Sequence, residues 1–340
     1  MVTPAIRSMN KISGLEIDAL TISPQIAEIM KSSGLFSKVH MADLINDSFI
    51  KSLRSLYNIR KINYDLSILV YPSNHYKYNI AHFLTGGKKR YGIKYSVGCF
   101  PDLSFLSGSK LDENRNLHAI EQNFMLFETA LETALERVYK MTLKISDNDE
   151  TSAESFINQN DLKNKILIGI HPGSDVMKNM AKKRWSREKY GGLIRHYSKI
   201  SNIRFLVFGG PKEKELCNNV CSMSPSNSMP VLGKNFLASA AIIKKCSLFV
   251  SGDTGLMHTA SALGVPVVSI FGPTSPVYAG PTGETSKIVM KNYPCVPCYE
   301  YSRKPLVCSQ KRPFKCLDDI GVEEVAQNID NILNIKEISR

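Results

Sequence analysis

The chain has 340 residues, 43% apolar and 22% charged, with a formal net charge of +12. Single hydrophobic cores usually stop growing at roughly 250 to 300 residues, so two lobes are expected, and the apolar content excludes a wholly disordered or fibrous chain. The basic surplus suits anionic partners such as nucleotides, phosphorylated glycans, an acidic membrane surface or nucleic acid, without choosing among them. No apolar run reaches the roughly 18 residues of a membrane span, and the N-terminus has no continuous apolar signal region. The expectation is a soluble cytoplasmic protein with peripheral, charge-driven contact at the inner face of the cytoplasmic membrane.

In the first half, "LEIDALT" (15–21) and "YDLSILVYP" (64–72) have the branched and aromatic content of strands, and "SPQIAEIMKSS" (23–33) is a helix opened by Ser23 and Pro24. Apolar residues at helical spacing predict a long helix over 116–135. Residues 144–165 are polar and without a sustained period, which marks them as the linker. Alternation then restarts: strand "ILIGIHPG", helix "SREKYGGLIRHYSKI", strand "IRFLVFGG", helix "PKEKELCNNVCSM", a short strand near "MPVLG", helix "NFLASAAIIKKC", strand "SLFVSG", helix "GLMHTASALG" and strand "VPVVSIFGP". Strands alternating with helices imply a doubly wound parallel sheet.

Ligands of such sheets sit beyond the carboxyl ends of the strands, where helix N-termini present unpaired N–H groups to anions. Three turns have the ingredients: "HPGSD" (171–175) with Gly173 and Ser174, "FGGPKEKE" (208–215) with Gly209 and Gly210, and "SGDTGLMH" (251–258) with Asp253, Thr254 and Gly255. None is a G-x4-G-K-[ST] loop or a G-x-G-x-x-G loop, so phosphate binding shared among loops is the sharper expectation, against ordinary capped strand-to-helix turns. Lys183, just before the only tryptophan, Trp185, is placed to reach a phosphate, or else is a solvated surface lysine.

The ordered series "HPGSD", "KKRWSREKY", "FLVFGGPKEKE", "SGDTGLMHTASALGVPVVSIFGPTSP", "GPTG" and "CVPC…C…CLDDI" resembles glycosyltransferase family 9, the lipopolysaccharide heptosyltransferases. The resemblance is strongest over residues 160–335. It implies an α/β fold of GT-B architecture, two Rossmann-like doubly wound domains facing a cleft: an acceptor-side domain over 1–150, a nucleotide-sugar domain over 160–320, and a C-terminal helix in 321–340 packing back on the first domain. It implies inverting transfer of a sugar, heptose from ADP-heptose foremost, to a lipopolysaccharide-core or other anionic glycan or glycolipid acceptor. Carried over by position, Ser174, Lys183, Gly209, Gly210, Asp253, Thr254, Gly255, Leu256 and His258 form the donor site. Within it Ser174 and Lys183 contact diphosphate or donor sugar, Thr254 and Gly255 bind phosphate, and Asp253 holds sugar hydroxyls. A carboxylate would repel a diphosphate, whereas hydroxyls donate to it. His258 reads better as a structural histidine. N–H groups at 254–257 would stabilise the leaving diphosphate, so no metal is expected to be required for transfer.

Family members begin with a strand and a "GD" loop, which this chain, opening "MVTPAIRSMN", lacks. The expected general base therefore lies upstream of Met1, the catalytic residue is unassigned, and a gap is expected in the N-terminal sheet. Two alternatives stay open: a sugar-nucleotide-binding relative with weak or no catalysis, and another GT-B enzyme using a different nucleotide sugar. A nucleic-acid partner is not expected, because no basic-aromatic recognition motif occurs. "GGKKRYGIKY" (86–95) either faces an anionic acceptor or is a solvated charge run.

Among eight cysteines, Cys99, Cys217, Cys221 and Cys246 read as small buried hydrophobes. Cys295, Cys298, Cys308 and Cys316, spaced C-x2-C-x9-C-x7-C, match a structural zinc site in number. Disulfides and unligated thiols are the other readings.

Overall fold

A computed structural model describes residues 1–44, 47–73, 75–96, 103–299 and 304–335; Cys99 lies outside the described residues. The chain divides into two compact units, Met1–Lys144 with Glu300–Arg303, and Ile145–Tyr299 with Lys304–Arg340. Both are α/β with parallel sheets, as the alternation predicted.

In the first unit, strands β1 (Asp18–Thr21) and β2 (Lys38–Met41) pair in parallel, and β3 (Leu66–Ile68), β4 (Lys89–Lys94) and β5 (Ser109–Asp112) form a separate parallel sheet in that order. No ladder joins β1 to β3 among the described residues. Side chains link the two pieces instead: Tyr64, just ahead of β3, donates to the Asp18 carboxylate, and His40 Nε2 lies 3.2 Å from Asp18 Oδ2 and 3.0 Å from Tyr64 Oη. The predicted long helix runs over Ala119–Leu131, shorter than expected at both ends, because His118 caps its start and Glu132 turns left-handed at its end. Its Asn123 is fully buried and pins the chain after β3, accepting from Tyr71 N at 2.9 Å and donating to Tyr71 O at 2.9 Å.

The basic stretch 86–95 forms β4 and its approach, and several of its charges are already engaged. Lys88 pairs with Asp65 at 2.7 Å, and Arg90 donates through Nε to the Leu106 carbonyl at 3.0 Å.

The expected linker is a correction. Residues 147–159 form a helix, Asp147–Gln159, and the division between units falls just before it. Ser146 caps it by accepting from Asp149 N at 3.2 Å, three acids complement the N-terminal dipole, and Ala153, Phe156 and Ile157 pack into a core cluster. Glu150 also binds Lys244 at 2.5 Å and Lys245 at 3.3 Å. So few apolar positions give a weak period; the partner helix, Phe236–Lys244, supplies what the pattern lacks.

The second unit holds six parallel strands, β6 (Ile166–His171), β7 (Ile203–Phe208), β8 (Ser228–Val231), β9 (Leu248–Gly252), β10 (Val267–Ile270) and β11 (Lys287–Val289), in the order β11-β10-β9-β6-β7-β8. The central strands are apolar on both faces. Ile168, Ile170, Phe205, Val207, Leu248 and Val250 point into one buried cluster, and Leu167, Leu206, Phe208 and Phe249 into another. A Cβ on Gly169 would come within 2.4 Å of the Phe249 ring, so only glycine lets β6 lie against β9 here.

The C-terminal helix is Val322–Leu333. It belongs to the second unit, where Val325, Ala326 and Ile329 enter the core cluster built around β6, β7 and β9. Trp185 donates to Ile320 O at 3.0 Å and Tyr197 to Ala326 O at 3.0 Å, tying that helix and its approach to the ends of the helix Arg187–His196 in the same unit. An amphipathic face announces that it packs, not which surface it packs against.

Candidate donor site at the sheet switch point

Strand order in the second unit reverses between β6 and β9, the place where open α/β sheets bind ligands. His171, the last residue of β6, stands in register with Ser251 of β9. The loops that follow these strands and β7 meet there through side chains.

Glu213 is the centre of that meeting, and sequence reasoning did not single it out. Its Oε2 lies 3.2 Å from His171 Nε2 and accepts from Gly210 N at 2.9 Å, while Arg184 approaches Oε1 at 3.7 Å. Burial opposes its charge, but the bonds to His171 and Gly210 and the Arg184 guanidinium hold its carboxyl below the usual carboxylate range. Gly173 makes room for it: a Cβ there would stand 1.8 Å from Glu213 Oε1 and 2.8 Å from His171 Nε2. Gly209 is tight as well, with its hypothetical Cβ 2.4 Å from Cys217 Sγ, so the helix Lys214–Ser222 can seat against β7. The only sequence signal for Glu213 was its place at the third position after Gly210, a capping-box spacing.

Thr254 is the N-cap of the helix Gly255–Ala262, accepting from Met257 N at 3.4 Å. Its hydroxyl also lies 3.1 Å from His171 Nδ1 and 2.9 Å from Ser251 Oγ. It therefore holds the turn together. Gly255 is exposed, and a Cβ there would meet nothing within 4 Å, leaving open space before the helix N-terminus. Leu256 packs partly into the core beneath, and His258, one turn in, is half-buried.

Lys183 is not a solvated lysine. Its Nζ donates to Asp253 Oδ2 at 2.9 Å and to Asp253 O at 2.5 Å, and the two side chains are only 9% and 4% exposed. Ser174 is buried too, and its hydroxyl donates to Met180 O at 2.9 Å while accepting from Arg184 Nε at 3.0 Å. In the free chain it shapes the 174–184 loop. Thus Lys183 is bonded to Asp253 beside Thr254 and Gly255, Gly210 joins Thr254 through Glu213 and His171, and Ser174 joins Glu213 through Arg184.

Cys217, Cys221 and Cys246 are buried in the core as expected, and burial pushes the Cys217 and Cys246 thiols up to about 12. Among the described residues, no helix is long and apolar enough to cross a membrane.

A lipooligosaccharide heptosyltransferase 2 of Campylobacter jejuni is 30% identical over 177 residues, which are 50% of this chain and 51% of that protein. A lipopolysaccharide heptosyltransferase 1 of Pseudomonas aeruginosa is 25% identical over 235 residues, 66% of this chain and 61% of that protein. The chain spans about half the length of the first of these relatives. Among solved structures, the Escherichia coli ADP-heptose LPS heptosyltransferase II superposes with a TM-score of 0.74 at 17% identity, covering 98% of this chain and 94% of that one. A glycosyltransferase family 9 protein from Veillonella parvula gives 0.77 at 19% identity, covering 98% and 93%. These structures establish the fold, the GT-B class expected from the sequence. The profile of glycosyltransferase family 9 (heptosyltransferase) matches residues 53–306. The chain belongs to glycosyltransferase family 9.

Proposed function

We propose that the chain transfers a sugar, heptose from ADP-heptose, with inversion onto an anionic glycan acceptor of the lipopolysaccharide-core kind. The observation that carries the reading is the open N-terminus of the helix Gly255–Ala262 at the switch point. Family membership and the relatives' names as lipooligosaccharide and lipopolysaccharide heptosyltransferases support this reading of donor and acceptor.

In this reading the N–H groups of Gly255 and Leu256 and the positive end of the helix receive the donor diphosphate and stabilise it as it leaves. Lys183 solves the problem of a carboxylate beside that diphosphate. Its ammonium has three donors, of which Asp253 takes two, so the pair is neutral as a unit and the third N–H is left for a phosphate oxygen. Asp253 and Glu213, both carboxylates held by neighbours, accept from hydroxyls of the donor. His171, bonded on both ring nitrogens, fixes the distance between the Thr254 turn and Glu213. Gly210 shapes the Glu213 loop, and Ser174 positions Arg184. The surplus of basic residues favours an anionic acceptor.

The test is a melting-temperature panel with ADP-, UDP- and GDP-sugars, followed by a transfer assay with the sugar that binds. ADP-heptose is expected to raise the melting temperature of the wild type and to do so less for Asp253→Ala. No shift with any nucleotide sugar would refute the donor assignment.

A further inference from the structure

Among the described residues no three of His, Cys, Asp and Glu stand close enough to share a metal ion, Cys295, Cys298, Cys308 and Cys316 included. A surface built for a partner lies instead in the first unit, on the helix Phe49–Arg60. Its inner side is ordinary: Ser52, Leu56 and Ile59 are buried, and Leu56 joins Ala42 and Ala81 in a small core cluster. Its outer side is not. Ile50, Arg54, Tyr57 and Lys61 follow at spacings of four, three and four residues, which sets them in one ridge opposite that core. All four are exposed, Ile50 at 78% and Tyr57 at 58%. Leu53 beside the ridge and Ile62 just past the helix are exposed as well.

The polar groups between these apolar residues carry one sign of charge. From Ser48 to Tyr64 the chain has Lys51, Arg54, Arg60 and Lys61 and no acid. The acids flanking this run are already engaged, Asp47 with Lys51 at 2.6 Å and Asp65 with Lys88 at 2.7 Å. Lys61 Nζ stands 4.9 Å from the centre of the Tyr57 ring, so an ammonium and an aromatic face share one place on the ridge. Apolar residues exposed singly need no explanation. A helical ridge that alternates them with cations has the pattern of a helix lying in the interface of a bilayer, where apolar side chains enter the acyl boundary and cationic heads stay with the phosphates.

We propose that this ridge docks the first unit on an anionic lipid bilayer, with Ile50, Leu53 and Tyr57 inserted and Arg54 and Lys61 on the headgroup phosphates. Two other occupants suit it less. A second copy meeting the same face across a two-fold axis would set the cations against themselves. A nucleic acid would use the cations and the Tyr57 ring but give Ile50 and Leu53 no apolar partner. The contact requires neither sugar donor nor acceptor, so it stands or falls apart from sugar transfer.

The experiment uses the full chain and vesicles of phosphatidylcholine, with and without one-third phosphatidylglycerol, free of glycolipid and nucleotide sugar. The chain should float with the anionic vesicles and stay behind with the neutral ones. Arg54→Gln/Lys61→Gln should weaken binding roughly 25-fold, at about fivefold per charge near an anionic surface. Lys163→Gln/Lys199→Gln, which removes two exposed lysines of the second unit, should leave binding close to wild type. An equal loss in that control would overturn the proposal, since it would show only the general attraction of a basic chain. Ile50→Ser/Tyr57→Ser should weaken binding by about tenfold or more while keeping the wild-type circular dichroism spectrum and nucleotide-sugar affinity. Tyr57→Trp should shift its emission to the blue on anionic vesicles and be quenched by brominated lipid, which cannot reach Trp185 in the core of the second unit. An unshifted emission would overturn the proposal, as would a dimer lost in Ile50→Ser/Tyr57→Ser, or binding of duplex DNA with none of vesicles.

Discussion

Replacing Lys183 by methionine tests the ion pair at the mouth of the site. At an effective dielectric constant of about 20, charges 2.9 Å apart attract by roughly 6 kcal/mol before desolvation is counted. Withdrawing one partner of a buried pair typically costs about 3–5 kcal/mol, because the remaining charge stays in a poorly solvated place. An exposed pair would cost about 1 kcal/mol or less. Exposures of 9% and 4% put Lys183 and Asp253 in the first class, so Lys183→Met should destabilise the second unit by about 3 kcal/mol or more. The chain contains its own probe. Trp185, the sole tryptophan, is 2% exposed in that unit's core, so urea unfolding followed by its fluorescence reads this unit. The double variant Lys183→Met/Asp253→Asn removes both charges and should recover more than half of the loss. A single-variant cost below about 1 kcal/mol, or a double variant no milder than the single one, would refute the argument.

Gly173→Ala places a Cβ where Glu213 Oε1 stands, so the carboxylate must leave His171; a cost of about 1–3 kcal/mol in urea unfolding and weaker nucleotide-sugar binding in calorimetry should follow. Burial in the first unit lowers the pKa of His82 from 6.5 to about 4, with its Nδ1 3.2 Å from Ser107 Oγ. The unfolded chain then binds the proton that the folded one refuses, so stability falls as pH drops from about 6.5 to 4, by at most about 3 kcal/mol at 1.36 kcal/mol per pH unit. Melting curves across that range should lose this slope in His82→Gln, and an unchanged slope would place the titration elsewhere. Ser146→Ala removes the cap of the helix Asp147–Gln159 and should cost about 1 kcal/mol, seen as faster amide exchange in its first turn.

Strands β6, β7, β9 and β10 of the second unit were legible because they are buried on both faces, whereas its edge strand β11 was not predicted. Runs such as "ILIGI" and "RFLVF" have no competing reading once polar, glycine-bearing turns punctuate them. The first unit was harder. Its strands are three to six residues long, and β2 is only half-buried or exposed along its length, which leaves little pattern. The helix Asp147–Gln159 was hidden for the opposite reason: its start was written plainly in Ser146 and three acids, but its packing depended on Lys244 and Lys245, about ninety residues away. At the candidate site the loops were visible as loops. What each side chain does there was not, since Thr254 and Glu213 both take His171 of another strand as partner and Ser174 turns back into its own loop.

The wiring of those loops limits how the site can be altered. One carboxylate caps the turn after β7, occupies the space left by Gly173 after β6, and leads through one imidazole to the cap of the helix after β9. Loops joined in this way cannot be exchanged singly. Grafting a turn from a relative with another sugar preference would disturb two that were left untouched, so a change of specificity requires His171, Glu213 and Thr254 to be redesigned as one set.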